Sequence, residues 1–356
     1  MKILHSADLH LDAPFAGRSP EQVALLRAAM LNIPRQLAEL CSREGCDLVL
    51  LAGDLFDGKW TRDSFRSLYA ALEEMKVPVF ISPGNHDFIS HESPYWTEVW
   101  PENVHIFTRP ELESVVLPEL NCRIYGAGYR SMDCGALLEG FRTEGEEHYH
   151  IAVLHADPTA ANSPYCPITS NQLRKSGLHY AALGHIHKNG QLRAGQTLCA
   201  WPGCPMGRGF DETDTKGVLI VTVDDGVQTS FVPLDTPRFF DYETHPGIDE
   251  RAALAELLPA MGDDNFYRVT FTGEAAAPDL NALYRAFDQF PNLELRDRTT
   301  PERDIWGSAD ADTLEGTYFR ILRNELDAAT EEEREILTLA ARISRQILDG
   351  QEVRLP

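Results

Sequence analysis

Nowhere in the chain do apolar residues run on for the roughly 18 positions that a membrane-crossing helix needs, so no membrane span is expected. Positive charge is scarce: 32 Lys and Arg face 55 Asp and Glu, a net charge of −23. A broad basic surface for gripping nucleic acid is therefore excluded. A local basic groove is not, and neither is a site whose positive charge is metal. The seven cysteines are odd in number and scattered. Cys41/Cys46 and Cys199/Cys204 have short spacings, but no histidine partner stands at zinc-finger distance. They are expected to be free thiols in a reducing cytoplasm. The opening MKILHSADLH lacks the apolar core of a signal peptide, which fits the same compartment. Internal repeats and low-complexity tracts are missing too.

What remains is a 356-residue chain, 43% hydrophobic, with room for two or three domains and a sizeable core. Ser19, Pro20 and Gln22 make a helix start: N-cap, first-turn proline and capping-box partner. Val23, Leu26, Met30, Ile33, Leu37 and Leu40 continue at helical spacing, with a kink expected at Pro34 and a stop at Gly45. CDLVLLAGD then reads as a fully buried strand, 63–76 as an amphipathic helix, and VPVFISPGNHD as another buried strand. Strand and helix thus alternate over 1–87, the pattern of a layered α/β domain. Further apolar runs at 150–157, 179–187 and 216–225 predict strands.

The texture changes after Pro237. Strand-like 266–273 and 293–297, with helical 248–261 and 278–290, predict a small α+β domain over 238–306. Beyond it, Leu314, Tyr318, Ile321, Leu322 and Leu326 share one helical face. Thr330 and Glu333 form a capping box, and Ile336, Ala340, Ile343 and Ile347 make a second stripe. The domains are expected at 1–237, 238–306 and 307–356.

Five strand-like segments end in polar groups. HSADLH offers Asp8 and His10; LAGDLFD offers Asp54 and Asp57; SPGNHD offers Asn85, His86 and Asp87; VLHAD offers His155; LGHIH offers His185 and His187. Taken singly, each has a plain reading as a turn, a cap or a core histidine. Core histidines have no reason to follow apolar strands repeatedly, and ligands gather at the carboxyl ends of parallel strands. Oxygen and imidazole donors without thiolate suit two divalent ions such as Mn²⁺, Fe²⁺ or Zn²⁺.

The order Asp8-x-His10, Gly53-Asp54-x-x-Asp57, Gly84-Asn85-His86-Asp87, His155, Gly184-His185-x-His187 resembles the calcineurin-like metallophosphoesterases over residues 1–235, with no departure from the pattern. ILHSADLHLDAPF and WPGCPMGRGFDE are similar to the bacterial DNA repair exonuclease branch, which holds SbcD-like and YhaO-type proteins. The resemblance implies a four-layer α/β/β/α metallophosphoesterase sandwich with a small α+β capping domain and C-terminal helices. It implies that Asp54 bridges two metals, with Asp8, His10 and His187 on one and Asn85, His155 and His185 on the other. The metals would clamp a phosphate and acidify a shared water for in-line attack. His86 would protonate the leaving oxygen, Asp57 would orient a ligand or His86, and Asp87 would do the same. It also implies a manganese-dependent DNA exonuclease, a capping domain at 238–306, and docking of 307–356 on an SMC-like ABC ATPase with a coiled coil. The −23 charge sits badly with DNA as substrate. Arg18 and Arg208, near motif loops, are candidates for a local substrate-binding rim. Two rival functions stay open: a phosphomonoesterase or small-nucleotide phosphodiesterase, and a non-catalytic scaffold for the ATPase. Iron or zinc in place of manganese, and a homodimer, also stay open.

Overall fold

The computed structural model describes residues 1–247, 249–301 and 304–350. The chain divides into two compact units. The first comprises Met1–Tyr242, Pro259–Arg268 and Asp288–Glu294, and the second comprises Glu243–Leu258, Val269–Phe287 and the residues from Leu295 on.

In the first unit the order is β1 (Lys2–Ser6), α1 (Pro20–Glu44), β2 (Leu48–Leu51), α2 (Arg62–Met75), β3 (Val79–Ile81), α3 (Pro94–Thr97), β4 (Val104–Ile106), β5 (Glu113–Leu117), β6 (Cys122–Gly126), β7 (Tyr149–His155), α4 (Ser170–Ser176), β8 (Tyr180–Gly184), β9 (Gly190–Ala194), β10 (Thr197–Trp201), β11 (Gly217–Val223) and β12 (Val227–Pro233). Two six-stranded sheets result, in the orders β12-β11-β1-β2-β3-β4 and β5-β6-β7-β8-β10-β9. β1 through β4 pair in parallel, as do β6, β7, β8 and β10.

Alternation along each strand builds the layers. In β2, Val49 and Leu51 join the core under α1 and α2, while Leu48 and Leu50 point into the core between the sheets. Ile151 and Val153 of β7 meet them from the second sheet; Ala152 and Leu154 face a third core with Leu173 of α4. The fold is an α/β sandwich of two sheets with helices outside. Truncating a buried leucine such as Leu50 would cost about 2–5 kcal/mol.

The expected signals at the two ends of α1 are present. Ser19 caps α1 through the capping box with Gln22, and Gly45 ends it at φ 63°. Pro34 lies inside a helix that runs on through it to Glu44. Thr61 caps α2, and its capping-box partner is Ser64. All seven cysteines are free thiols.

A three-stranded sheet has the order β13 (Phe239–Thr244), β14 (Phe266–Glu274), β15 (Leu293–Thr300). The second unit carries α5 (Glu250–Leu257), α6 (Leu280–Ala286), α7 (Leu314–Ala328) and α8 (Glu331–Leu348). The helix expected over 248–261 starts at Glu250, and Ile248 lies outside the described residues. Thr330 and Glu333 form the capping box of α8. α7 and α8 pack together around Phe319, Ala309 and Ala341. No described helix is long and apolar enough to cross a membrane.

Candidate metal centre

The site stands where parallel strands of both sheets end. Asp8 and His10 follow β1, Asp54 follows β2, Asn85 and His86 follow β3, His155 is the last residue of β7, and His185 and His187 follow β8. Asp8, His10, Asp54 and His185 have φ between 46° and 90°. A left-handed backbone at so many non-glycine residues is strain that the surrounding fold must hold, and such strain gathers at functional sites. Gly84 is required by close approach: a side chain there would collide with the carboxylate of Asp54.

Backbone amides fix the carboxylates. Asp54 Oδ1 accepts from the His86 N–H at 2.9 Å, and both oxygens of Asp8 accept from the His185 N–H at 3.0 Å. The imidazoles are fixed through Nδ1. That of His155 donates to the carbonyl of Ala52 at 2.9 Å, that of His10 to Asp57 Oδ1 at 3.1 Å, and that of His187 to Glu212 Oε1 at 2.6 Å. Each Nε2 is therefore left with its lone pair facing inward. The Nε2 atoms of His10 and His187 lie 3.1 Å apart. The Nε2 of His155 faces Asn85 Oδ1 at 2.9 Å and Asp54 Oδ2 at 3.3 Å. Lone pairs pointed at one another in a buried site call for a cation between them.

The titration behaviour says the same. Burial pushes Asp8 up to about 6, with the charge of Asp54 adding and His155 opposing. Burial alone would keep His155 neutral, yet the attraction of Asp54 wins and lifts it to about 9, so that with no cation in place a proton takes the Nε2 lone pair. Burial also pushes Asp54 up, but the imidazoles of His155 and His10 hold it well below the usual carboxylate range. Burial lowers His10 to about 4 and, with His155 adding, His185 to about 4. The site is short of positive charge.

Donor atoms of Asp8, His10 and His187 lie within 4.8 Å of one another, and so do those of Asp8, Asp54 and His155. These two groups could hold divalent ions, and Asn85 stands beside the second. His185 joins neither group through its ring, which lies edge-on to His155 at 5.2 Å and tilted on Tyr165 at 4.6 Å.

His86 sits at the rim, its side chain 43% exposed, with Nδ1 2.9 Å from Asp57 Oδ1. That bond raises its pKa above the ordinary histidine value. Asp57 spends the same oxygen on His10 and His86, and their hydrogen bonds keep its carboxyl far below the ordinary range. Two expectations need correcting. The carboxylate of Asp87 orients neither His86 nor a metal ligand directly; it accepts from the N–H groups of Gly84 and Leu55 and from the Tyr95 hydroxyl, at 2.8, 2.7 and 2.6 Å. It ties the two loops that carry Asp54 and Asn85 to each other. Arg18 packs against Phe210, Phe239 and Phe266 at 5.1–5.2 Å and makes no contact with the cluster among the described residues. Arg208 does reach the site, 3.0 Å from His187 Nδ1 and 3.3 Å from Glu212 Oε1.

Glu212 is the residue that sequence reasoning missed. Its carboxylate holds the tautomer of His187, the usual partner of a metal-bound imidazole. Burial raises its pKa, but the bond to His187 and the charge of Arg208 win and keep it ionised. Its signal lay in WPGCPMGRGFDE, a segment that stands out by resemblance alone.

The family model described as calcineurin-like phosphoesterase matches residues 1–189. The chain belongs to the calcineurin-like phosphoesterase family. It is thus a metal-dependent phosphoesterase of a family that uses a dinuclear divalent site. It is 37% identical over 346 residues to the uncharacterized metallophosphoesterase YhaO of Bacillus subtilis, covering 86% of this chain and 80% of that one. Over 332 residues it is 22% identical to the SbcD subunit of the nuclease SbcCD from Staphylococcus epidermidis, covering 82% and 84%. It is 26% identical over 243 residues to the DNA double-strand break repair protein Mre11 of Aeropyrum pernix, covering 61% of this chain and 56% of that one.

Proposed function

We propose that this chain is a DNA exonuclease of DNA repair, hydrolysing phosphodiesters at a dinuclear site that takes manganese. The observation that carries the chemistry is the buried set of inward lone pairs beside a rim histidine. Asp8, His10 and His187 would hold one ion and Asn85 and His155 the other, with Asp54 close enough to serve both and His185 beside the second. Two divalent ions held there would neutralise phosphate charge and acidify a water for attack at neutral pH. His86 keeps a proton on Nε2 because Nδ1–H is spent on Asp57, and gives that proton to the leaving oxygen. Arg208, paired with Glu212, stands by the phosphate. The nuclease and break-repair names of two relatives favour DNA over a small nucleotide.

Residues 1–237 are the catalytic domain, 238–306 a capping domain and 307–356 a docking segment for an SMC-like ATPase. The last six residues of that segment lie outside the described ones. Its support is exposure: Leu314, Ile336 and Ile321 are 90%, 63% and 53% exposed. Seven free thiols fit a cytoplasmic protein.

The test is a nuclease assay with Mn²⁺ on single- and double-stranded DNA, alongside nucleoside monophosphates, with and without the ATPase co-purified. Stepwise release of nucleotides is expected. Turnover of monophosphates with no cleavage of DNA would move the reading to a phosphomonoesterase.

A further inference from the structure

His86 also lines a cavity of about 470 Å³ whose wall includes Phe56, Lys59, Trp60 and Phe88. Ser90 belongs both to it and to a second cavity of about 230 Å³, walled by Ile89, His91, Trp96 and Arg130. The Trp60 ring is held in place. The Trp60 indole N–H donates to the carbonyl of Glu92 at 2.9 Å, and its ring meets Phe65 edge-on at 5.9 Å. Trp96 meets the ring of His91 edge-on at 6.0 Å and is 60% exposed. Arg130 Nη1 donates to the carbonyl of Thr108 at 3.4 Å, and among the described residues no ion pair joins Lys59 or Arg130 to a carboxylate. In a chain of net charge −23, each of two adjoining cavities thus holds a tryptophan and an unpaired cation.

On the reading above, His86 acts on the leaving oxygen, so what fills the cavity beside His86 is the leaving side of the substrate. We propose that the two cavities form a track for the leaving strand of single-stranded DNA. The base next to the scissile bond stacks on Trp60, the following base on Trp96, and Lys59 and Arg130 face the phosphates. The larger cavity falls within the usual range of ligand sites, about 300–1,000 Å³. Stacking on aromatic faces is how single strands are held without regard to sequence, and it needs unpaired bases, so a duplex does not use the track. The Glu92 residue in the wall tells against a plain phosphate trap, leaving the rings to supply the affinity. This inference rests on the nuclease reading and adds the substrate's strandedness and the residues that sense it.

The test measures binding of phosphorothioate-linked oligodeoxythymidylate of four nucleotides to the full chain by fluorescence anisotropy, with DNA degradation measured in parallel. Trp96→Ala is expected to weaken binding by about 5- to 150-fold, the range for one stacked base. Trp96→Phe should restore most of it and Trp96→Leu should not. Because Trp96 is mostly exposed, the melting temperature should stay within a few degrees. Two phosphate contacts predict a slope of log K against log salt of about −1.4, since each contributes about −0.7 on single strands. Thymidine 5′-monophosphate, which reaches only one cavity, should bind weakly and ignore Trp96→Ala. If wild type degrades DNA but Trp96→Ala and Trp60→Leu bind the tetranucleotide as wild type does, the track is wrong and the nuclease reading stands. Equal affinity for a duplex of the same length would also overturn it. If wild type hydrolyses bis(p-nitrophenyl) phosphate yet neither binds nor degrades DNA, the nuclease reading itself falls and takes the track with it.

Discussion

At the strand tips, Asp8, His10, Asp54 and His155 are at most 2% exposed; on the C-terminal helix pair, Leu314 and Ile336 are 90% and 63% exposed. The first region buries groups that prefer water, and the second exposes groups that avoid it. The two inversions differ in how they are built. The strand-tip groups are fastened by backbone amides and carbonyls and by a left-handed backbone, so the region is finished except for positive charge. The helix pair has a small core of its own around Phe319 and Ala341, braced by Arg345 against Glu315, and leaves much of its apolar stripe uncovered. A rigid polar pocket asks for ions; an uncovered apolar face asks for another surface.

The comparison breaks most visibly at Asp54. Asp54→Ala should reduce phosphodiester hydrolysis to background, because the carboxylate faces both imidazole groups; residual turnover near wild type would remove it from the centre. His86→Ala comes next. It should keep the metals but lose about 10²–10⁴-fold in rate on a poor leaving group, with a smaller loss on a p-nitrophenyl ester. Equal losses on both substrates would deny His86 its leaving-group role.

Glu212→Gln sharpens the polar side of the comparison. Weakening the hold on the His187 tautomer should lower metal affinity by about 10- to 100-fold, read by competition with a chelator. The smallest effect belongs to the helices. Ile321→Asp with Ile336→Asp should leave stability within about 0.5 kcal/mol per site, as expected of exposed positions. Turnover of a small phosphodiester should stay within twofold while association with the ATPase is lost. Unfolding on denaturant titration would instead make these side chains part of the fold.

The strand tips were legible because a ligand must follow its strand directly: Asp54 and His155 each have a plain reading alone, but the five polar strand ends together do not. The caps at Ser19 and Thr330 were legible for a similar reason, since each is settled within four residues. Glu212 was not, because it meets His187 from 25 positions away, beyond β9 and β10 and on a loop without periodicity. The task of Asp87 was hidden as well: a carboxylate after Asn-His reads as part of the chemistry until its amide partners are seen. Arg18 misled through proximity in sequence to a motif loop, while its guanidinium found three phenylalanine rings instead. The short hairpin partners β5 and β9 escaped notice because five residues carry too little alternation to stand out.

The central claim is that the buried cluster holds two ions and that Asp54 joins them. Elemental analysis of the purified chain after loading with Mn²⁺ tests it most directly. Two metals per chain are expected for wild type, with both lost together in Asp54→Ala. Two metals per chain retained by Asp54→Ala would contradict the account.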